Sequence, residues 1–474
     1  MVNLQYTHIH IHIFINSVMD SGLGIGGLSL GKDEVSSSAF DLFSKIEVEN
    51  SIKAATKVTA RPIATTTSRG PFNFCFPADP EKWTDCESLR LSGKVTLLKG
   101  DGSKFDADVK EISVVNNFYH SLFSSVVCTL NGVEITDPGG NWYSYKAYLE
   151  TLLSYSDSTK TGRLATSLWQ QDEQSKYDSL GSVDVAFRTT TESQNRAYKL
   201  RKDTFKNSQT RYFNIPVHSD ISTLRKYLPP DAKLEFEFRR TSDAFSLLSP
   251  YNPAYAQIHI EDLSLTLMRY TPTSAIKSYY SSKLSSIKKQ ILPIDRSFVK
   301  TYTVQTGQTD LSHYNFISGH QLPEQIIIGM VDQQSHSGEI AKNPFNFKHF
   351  NITQASIVVN GVHEPAEPHR INIDDNNYVN LYTDFLLNCG ISNEDRDFGV
   401  SEKDYIGGCF LLAFDRSKEK CNRFHRHPHD SGTIDINLRT STNLPNTVTV
   451  IVYATYSSEI VLDDVNNVTI VNAF

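Results

Sequence analysis

Cys421, His425, His427 and His429 crowd into Cys421-Asn422-Arg423-Phe424-His425-Arg426-His427-Pro428-His429-Asp430. A thiolate and imidazoles are zinc-ligand types, and histidines also change charge near neutral pH. The spacing fits no finger or ribbon, however, and Pro428 with Asp430-Ser431-Gly432 has loop chemistry. The segment therefore reads as a polar surface loop, with no metal or cofactor expected. His8, His10 and His12 alternate with Ile9, Ile11 and Ile13, which puts three imidazoles on one strand face. The plainer reading is an exposed extension ahead of a second candidate start, Met19. Gly22-Leu23-Gly24-Ile25-Gly26-Gly27 formally matches a dinucleotide fingerprint, but it runs into Ser36-Ser37-Ser38 without the βαβ unit that would hold a pyrophosphate. Lys277, Lys283, Lys288 and Lys289 near Tyr279 and Tyr280, and Arg196, Lys199, Arg201, Lys202 and Lys206, are two basic stretches. Such runs can touch a nucleic-acid backbone, but both are read here as solvated segments. Asp374-Asp375 and Asp463-Asp464 read as turns. There is no phosphate-loop lysine motif, GxSxG or HExxH, so the chain is not expected to be an enzyme.

Composition narrows the classes. The 474 residues carry a net charge of -7, with 46 Lys and Arg against 53 Asp and Glu. A protein devoted to gripping nucleic acid shows a basic excess instead, so any genome contact is local and weak. No run reaches the roughly 20 apolar residues of a membrane-spanning helix. The six cysteines stand singly, a pattern expected of reduced thiols in a chain this long. Asn351-Ile352-Thr353 and Asn467-Val468-Thr469 are glycosylation sequons that matter only in a secreted protein, and no signal peptide is evident.

The elements that must position these residues are mainly strands. Phe72-Asn73-Phe74-Cys75-Phe76 alternates, as do Leu89 to Leu97, Lys233 to Phe238, Gln257 to Leu263, Thr433 to Leu438 and Thr447 to Ala454. An internal echo organises them. Val126 to Leu130 leads into Asn131-Gly132 and then the run Tyr145 to Leu153, which contains Tyr148 and Leu152. Ser356 to Val359 leads into Asn360-Gly361 and then Leu381 to Leu387, which contains Tyr382 and Leu386. Each unit predicts a strand, a positive-φ turn and a short helix with one apolar face. Two copies of one β domain follow, each about 200 residues with some eight strands. That size suits a jelly roll better than an immunoglobulin sandwich of ~100 residues.

The run Val115-Asn116-Asn117-Phe118-Tyr119-His120-Ser121-Leu122-Phe123, the Leu130-Asn131-Gly132 turn and Tyr145 to Tyr155 resemble the double jelly-roll major capsid proteins of Polinton/Maverick elements and adintoviruses, including hexon-like endogenous copies. In the second half Asn343-Pro344-Phe345-Asn346-Phe347, Asn360-Gly361, Tyr405 to Asp415 and Thr447 to Tyr456 agree. The resemblance covers roughly residues 40–474 and marks the fold rather than a site. It implies an all-β chain of two tandem eight-stranded jelly rolls with a few short helices and long inserted loops. The parts are a flexible arm over 1–68, a first jelly roll over 69–272 and a second over 273–474. The first carries a loop at about 156–209 that faces outward or clasps a neighbouring subunit. It also implies homotrimeric, pseudo-hexagonal capsomers in the icosahedral shell of a double-stranded DNA virion, with penton and minor or cement proteins as further partners. The rival readings are a receptor- or carbohydrate-binding jelly roll, such as a fibre or lectin-like protein, and a cupin-like metalloenzyme.

Overall fold

The computed structural model describes residues 49–63, 69–105, 112–137, 142–180, 195–250, 256–391, 397–417 and 430–471. Of the two compact units, Met1–Glu49 and Asn50–Phe474, the second holds every element described. The histidine extension, the glycine fingerprint and the Cys421 to His429 cluster lie outside the described residues.

The first half contributes β1 (Ile52–Ala60), β2 (Phe72–Phe76), β3 (Trp83–Lys99), β4 (Ser113–Val114), β5 (Phe123–Leu130), β6 (Val133–Glu134), β7 (Arg211–Pro216), β8 (Leu234–Arg240), β9 (Leu247–Leu248) and β10 (Ala256–Pro272). They form the antiparallel sheets β1-β10-β3-β7 and β2-β8-β5-β6, plus a small β4-β9 pair. The second half contributes β11 (Lys289–Val304), β12 (His313–Gln321), β13 (Gln325–Asp332), β14 (Ile352–Val359), β15 (Val362–Arg370), β16 (Leu411–Asp415), β17 (Ser431–Thr440), β18 (Val448–Asp463) and β19 (Val468–Val471). Its sheets are β11-β18-β13-β16, with β19 added on β18, and β12-β17-β14-β15. Set aside the short β4, β9 and β19, and the described residues of each half hold eight strands. In both, the first, eighth, third and sixth pair in one sheet, and the second, seventh, fourth and fifth in the other. That repeated order is the jelly roll, twice.

Local sequence explains the elements. In β2, Phe72, Phe74 and Phe76 point inward while Asn73 is exposed, the two-residue period of a strand with one buried face. Phe74 meets Phe238 edge to face across the β2–β8 pair, centroids 5.5 Å apart, and Phe76 meets Phe236 at 6.4 Å. The echoed Asn-Gly pairs occupy the same place in both halves, the tight turn joining the fourth and fifth strands. Asn131 and Gly132 take φ 48° and 87°, and Asn360 and Gly361 take 50° and 84°. Both central residues of such a turn need positive φ, which Asn tolerates and Gly adopts freely. The asparagine side chains also repeat. Asn131 Oδ1 accepts from the Lys233 amide at 2.7 Å, and Asn360 Oδ1 accepts from the Thr433 amide at 2.9 Å.

Three expectations are corrected. Residues 52–60, assigned by sequence to the flexible arm, are β1, paired along β10 from Pro272 to Leu265. Their run of lysine, alanine and threonine hid an edge strand, because little of it is buried. The cores also do not divide where the sequence does. Leu292 and Ile294 of β11 and Ile460 and Leu462 of β18 are buried in the first hydrophobic core, so the long strands of the second half reach into the first. The third correction is the loop at 156–209, whose described parts pack against this chain's own second half.

Candidate functional site at the junction of the two barrels

The loop between the fifth and sixth strands of the first barrel holds α2 (Tyr143–Ser154), following α1 (Phe118–Ser121) in the chain, and continues through α3 (Asp157–Thr161) and α4 (Arg196–Thr204). The expectation of one apolar face fails for α2, which is buried on both sides. Ala147 and Tyr143 belong to the first core, and Tyr145, Tyr148, Leu149 and Leu152 belong to the second. A short helix buried nearly all round has little face left for water. Tyr148 stacks on Phe345 of the second half, centroids 4.2 Å apart and planes at 4°. Tyr145 meets Phe345 edge to face at 5.6 Å and lies parallel to His336 at 5.7 Å. His336 belongs to α7 (Gln333–Ser337), which follows α5 (Asp243–Ser246) and α6 (Ser274–Ile287) in the chain. Burial beside these rings lowers the His336 pKa to about 4.

Charged groups are buried in the same seam. Lys146 of α2 is 8% exposed and Asp220 is 2% exposed, and they form an ion pair. Glu150, one turn on, has Oε1 3.9 Å from the Lys146 ammonium and Oε2 2.7 Å from His218 Nδ1. Tyr453 of β18 donates to Glu150 Oε1 at 3.2 Å, and Ser297 of β11 donates to Asp220 Oδ1 at 3.2 Å. Arg296 donates through Nε and Nη2 to the Ile135 carbonyl at 3.1 and 2.8 Å. Burial alone would pull the lysine pKa down, but the Asp220 and Glu150 carboxylates hold it above its usual value. Burial likewise works to raise Glu150, yet Lys146 and His218 keep its carboxyl below the normal range. Burial holds His120, 3.0 Å from the Tyr143 hydroxyl, well below the ordinary histidine range. A cavity of about 210 Å³ opens here, lined by Glu150, His218, Asp220, Arg296, Tyr453 and Tyr456 among others. Chemically the arrangement fixes charge between two barrels, since cations sit beside the carboxylates and partner groups come from both halves.

A second cluster pins the long loop. Arg201 is fully buried; its Nε donates to the Val114 carbonyl at 2.7 Å, its Nη1 bonds the Gln170 carbonyl, and its Nη2 pairs with Asp172 at 2.5 Å. The other Asp172 oxygen accepts from Asn343 of the second half at 2.9 Å. Lys160, also buried, donates to the Leu152 and Phe398 carbonyls at 2.6 Å each, and burial lowers its pKa to about 8. Tyr177 packs over Gly408, where a Cβ would come within 2.3 Å of its ring and φ is +137°. The described parts of the segment therefore form an internal strap rather than an outward loop.

The residues singled out from sequence fall as follows. Tyr148 and Leu152 are at the junction. Asn131, Gly132, Asn360 and Gly361 are strand turns. Tyr382 and Leu386 lie on α8 (Val379–Asn388), followed by α9 (Glu402–Ile406), with Tyr382 donating to the Val400 carbonyl at 2.8 Å. Arg201 leaves its basic stretch for the interior, which corrects its reading as solvated. Lys277 and Lys283 sit on α6, where no residue is fully buried, and Lys277 pairs with Glu81. Sequence reasoning missed Lys146, Glu150, Asp220, His218, Asp172 and Arg296. The one available signal was Lys146 inside an aromatic run, a cation with no water to face. Among the described residues no group of three or more His, Cys, Asp or Glu could hold a metal, and no helix is long and apolar enough to cross a membrane.

No protein-family model matches the chain. A curated relative, an uncharacterized protein of Caenorhabditis elegans, is 20% identical over 363 residues, covering 74% of this chain and 80% of that one. Solved structures resemble it more fully. The Sputnik virophage structure matches with TM-score 0.55 at 13% identity, covering 95% of both chains. The mavirus major capsid protein matches at 0.50 with 10% identity over 95% of this chain and 97% of that one. The Faustovirus major capsid protein matches at 0.51 with 9% identity over 88% and 92%. The repeated strand order and these matches along both barrels agree: the chain has the double jelly-roll fold of viral major capsid proteins.

Proposed function

We propose that the chain is a structural protein, the major capsid protein of a Polinton-like or adintovirus-like DNA virus or an endogenous copy of one. Its work is self-association and its place is the virion shell; catalysis has no part in it. The observation that carries this reading is the repeated strand order of two barrels joined by a buried junction. Such a chain presents two near-equivalent rigid units, so three chains around a threefold axis supply six barrels and a pseudo-hexagonal outline that tiles. The charge of -7 suits a wall around double-stranded DNA better than a protein wrapped on it. Neighbouring capsomers, penton and minor capsid proteins are the partners of such a shell.

The test is solution mass by light scattering, followed by negative-stain imaging. Three chains of 53.3 kDa predict a particle of roughly 160 kDa with a hexagonal outline. A compact monomer at every accessible concentration would overturn the capsomer.

A further inference from the structure

Resting on that capsomer reading, we infer that α8 and β1 are the two halves of the joint between chains. The outward face of α8 in one copy packs against β1 in the first barrel of the next, repeating between chains the contact that α2 makes with β11 within one.

The argument comes from comparing the two copies of the same helix. Matching Tyr148 to Tyr382 and Leu152 to Leu386 aligns α2 with α8 throughout. Ala147 of α2 faces its own barrel core, and its counterpart Leu381 faces the core of the second barrel. The other face behaves differently. Tyr145, Tyr148, Leu149 and Leu152 are at most 2% exposed, because the second barrel covers them. Their counterparts are Val379, 49% exposed, the half-buried Tyr382 and Leu386, and the exposed Thr383. Glu150, which sits in the charged seam, corresponds to Asp384, whose side chain is 44% exposed. Of the positions that meet the next barrel in α2, those of Val379 and Thr383 are thus left bare in α8, while Tyr382 and Leu386 pack in part on their own core.

The receiving surface shows the complementary asymmetry. In its own barrel β11 is the first strand, α2 packs on it, and Phe298 and Val299 are buried. The first strand of the other barrel is β1, and it is exposed from Ile52 to Thr59 apart from the partly buried Val58. Ala55, on the strand face opposite Val58 and Ala60, is a small side chain that admits a close helix. Lys53 and Lys57 offer cations for Asp384, which lies 3.8 Å from His369 in its own chain, as Arg296 of β11 lines the same cavity as Glu150. A bare helix face and a bare strand on one molecule make a heterologous contact, and one barrel-to-barrel relation repeated six times closes a ring of three chains.

The experiment uses the full chain and two surface variants. One carries Val379→Arg with Thr383→Arg on α8, and the other carries Ala55→Asp with Lys57→Asp on β1. Light scattering should give the trimer for wild type and a monomer of 53.3 kDa for each variant alone. A heterologous joint adds a signature that a two-fold contact lacks. Mixing the variants leaves one intact pair of surfaces, so a dimer of roughly 107 kDa should form and grow no further. That dimer also shows both variants to be folded. Trimers that persist in either variant, or a mixture that stays monomeric, would overturn the joint while leaving the capsomer standing. A monomeric wild type would overturn both.

Discussion

Replacing Arg201 by Met tests whether the long strap is fastened from inside. Methionine keeps the length of the side chain and fills similar space, so the change is mainly the loss of a cation. Its removal leaves the Asp172 carboxylate buried without its charge partner and the Val114 and Gln170 carbonyls without their donor. Breaking a buried pair by deleting one member costs about 3–5 kcal/mol, mostly the penalty of the stranded charge. At roughly 2.1 cal/mol/K per residue, the unit from residue 50 onward has an unfolding entropy near 0.9 kcal/mol/K, so the midpoint should fall by about 3–5 °C if it melts as one. Lys199→Met on the same helix removes the same charge from an exposed position and should change stability by no more than about 0.5 kcal/mol. Scanning fluorimetry gives the midpoints, and limited proteolysis should show new cleavage between residues 156 and 209 in the Arg201 variant alone. If Arg201→Met melts within about 1 °C of wild type and resists protease equally, the buried pair does not hold the strap and this reasoning fails.

Stability should also fall with acid before any carboxylate is reached. His120, His336, His349 and His369 are all held below the ordinary histidine value, chiefly by burial, so the fold keeps them neutral. The unfolded chain takes up protons first, so their contribution is complete above about pH 6.5 and is lost on going down from there. For His336, between about 6.5 unfolded and about 4 folded, the loss at pH 5 is about 2 kcal/mol. His336→Phe should flatten the melting profile between pH 8 and 5 by that amount, whereas an unchanged slope would refute the assignment. Asn131→Ala should cost about 1–3 kcal/mol, since alanine resists positive φ and two hydrogen bonds, to Lys233 and Asn466, are lost. Asn131→Gly, which keeps the turn, should cost less in the same urea titration. Gly408→Ala should cost about 1–3 kcal/mol by displacing Tyr177, and equal stability would mean that the ring has room to move.

Much of the fold was legible because its signals are local. Two-residue alternation in Phe72 to Phe76 and positive-φ chemistry at Asn131-Gly132 and Asn360-Gly361 act within a few residues, so they survive without knowledge of the partner strand. The strap at 156–209 was not legible, because what makes it internal is Asp172 meeting Asn343 and Tyr177 meeting Gly408, contacts more than 160 residues apart in sequence. Arg201 shows the same limit. In its run Arg196, Lys199, Arg201, Lys202 and Lys206 look alike, and only helix geometry turns one of the five into the interior. β1 failed in the opposite direction: a strand with almost nothing buried has no hydrophobic period to read.

That failure bears on the joint inferred between chains. If the two barrels had been optimised to stand alone, both strand edges and both helices would carry polar outer faces, as edge strands in monomers commonly do. Instead Val379 and Leu387 of α8 are apolar and 49% and 44% exposed, and β1 between its lysines is a strand of small and β-branched residues with little of it buried. Within the chain the equivalent helix face is covered, with Tyr148 stacked on Phe345 and Tyr145 edge-on to the same ring. On the inferred joint, a single copy satisfies one barrel-to-barrel contact and leaves one helix face and one strand for neighbouring copies. Polar substitution at Val379 should then leave the melting of a monomer almost unchanged while abolishing the larger species, because the residue contributes nothing to the isolated fold. If Val379→Arg instead destabilised the monomer by 2 kcal/mol or more, well beyond the usual range for a surface change, the helix face would be part of the chain's own core and the asymmetry would have another cause.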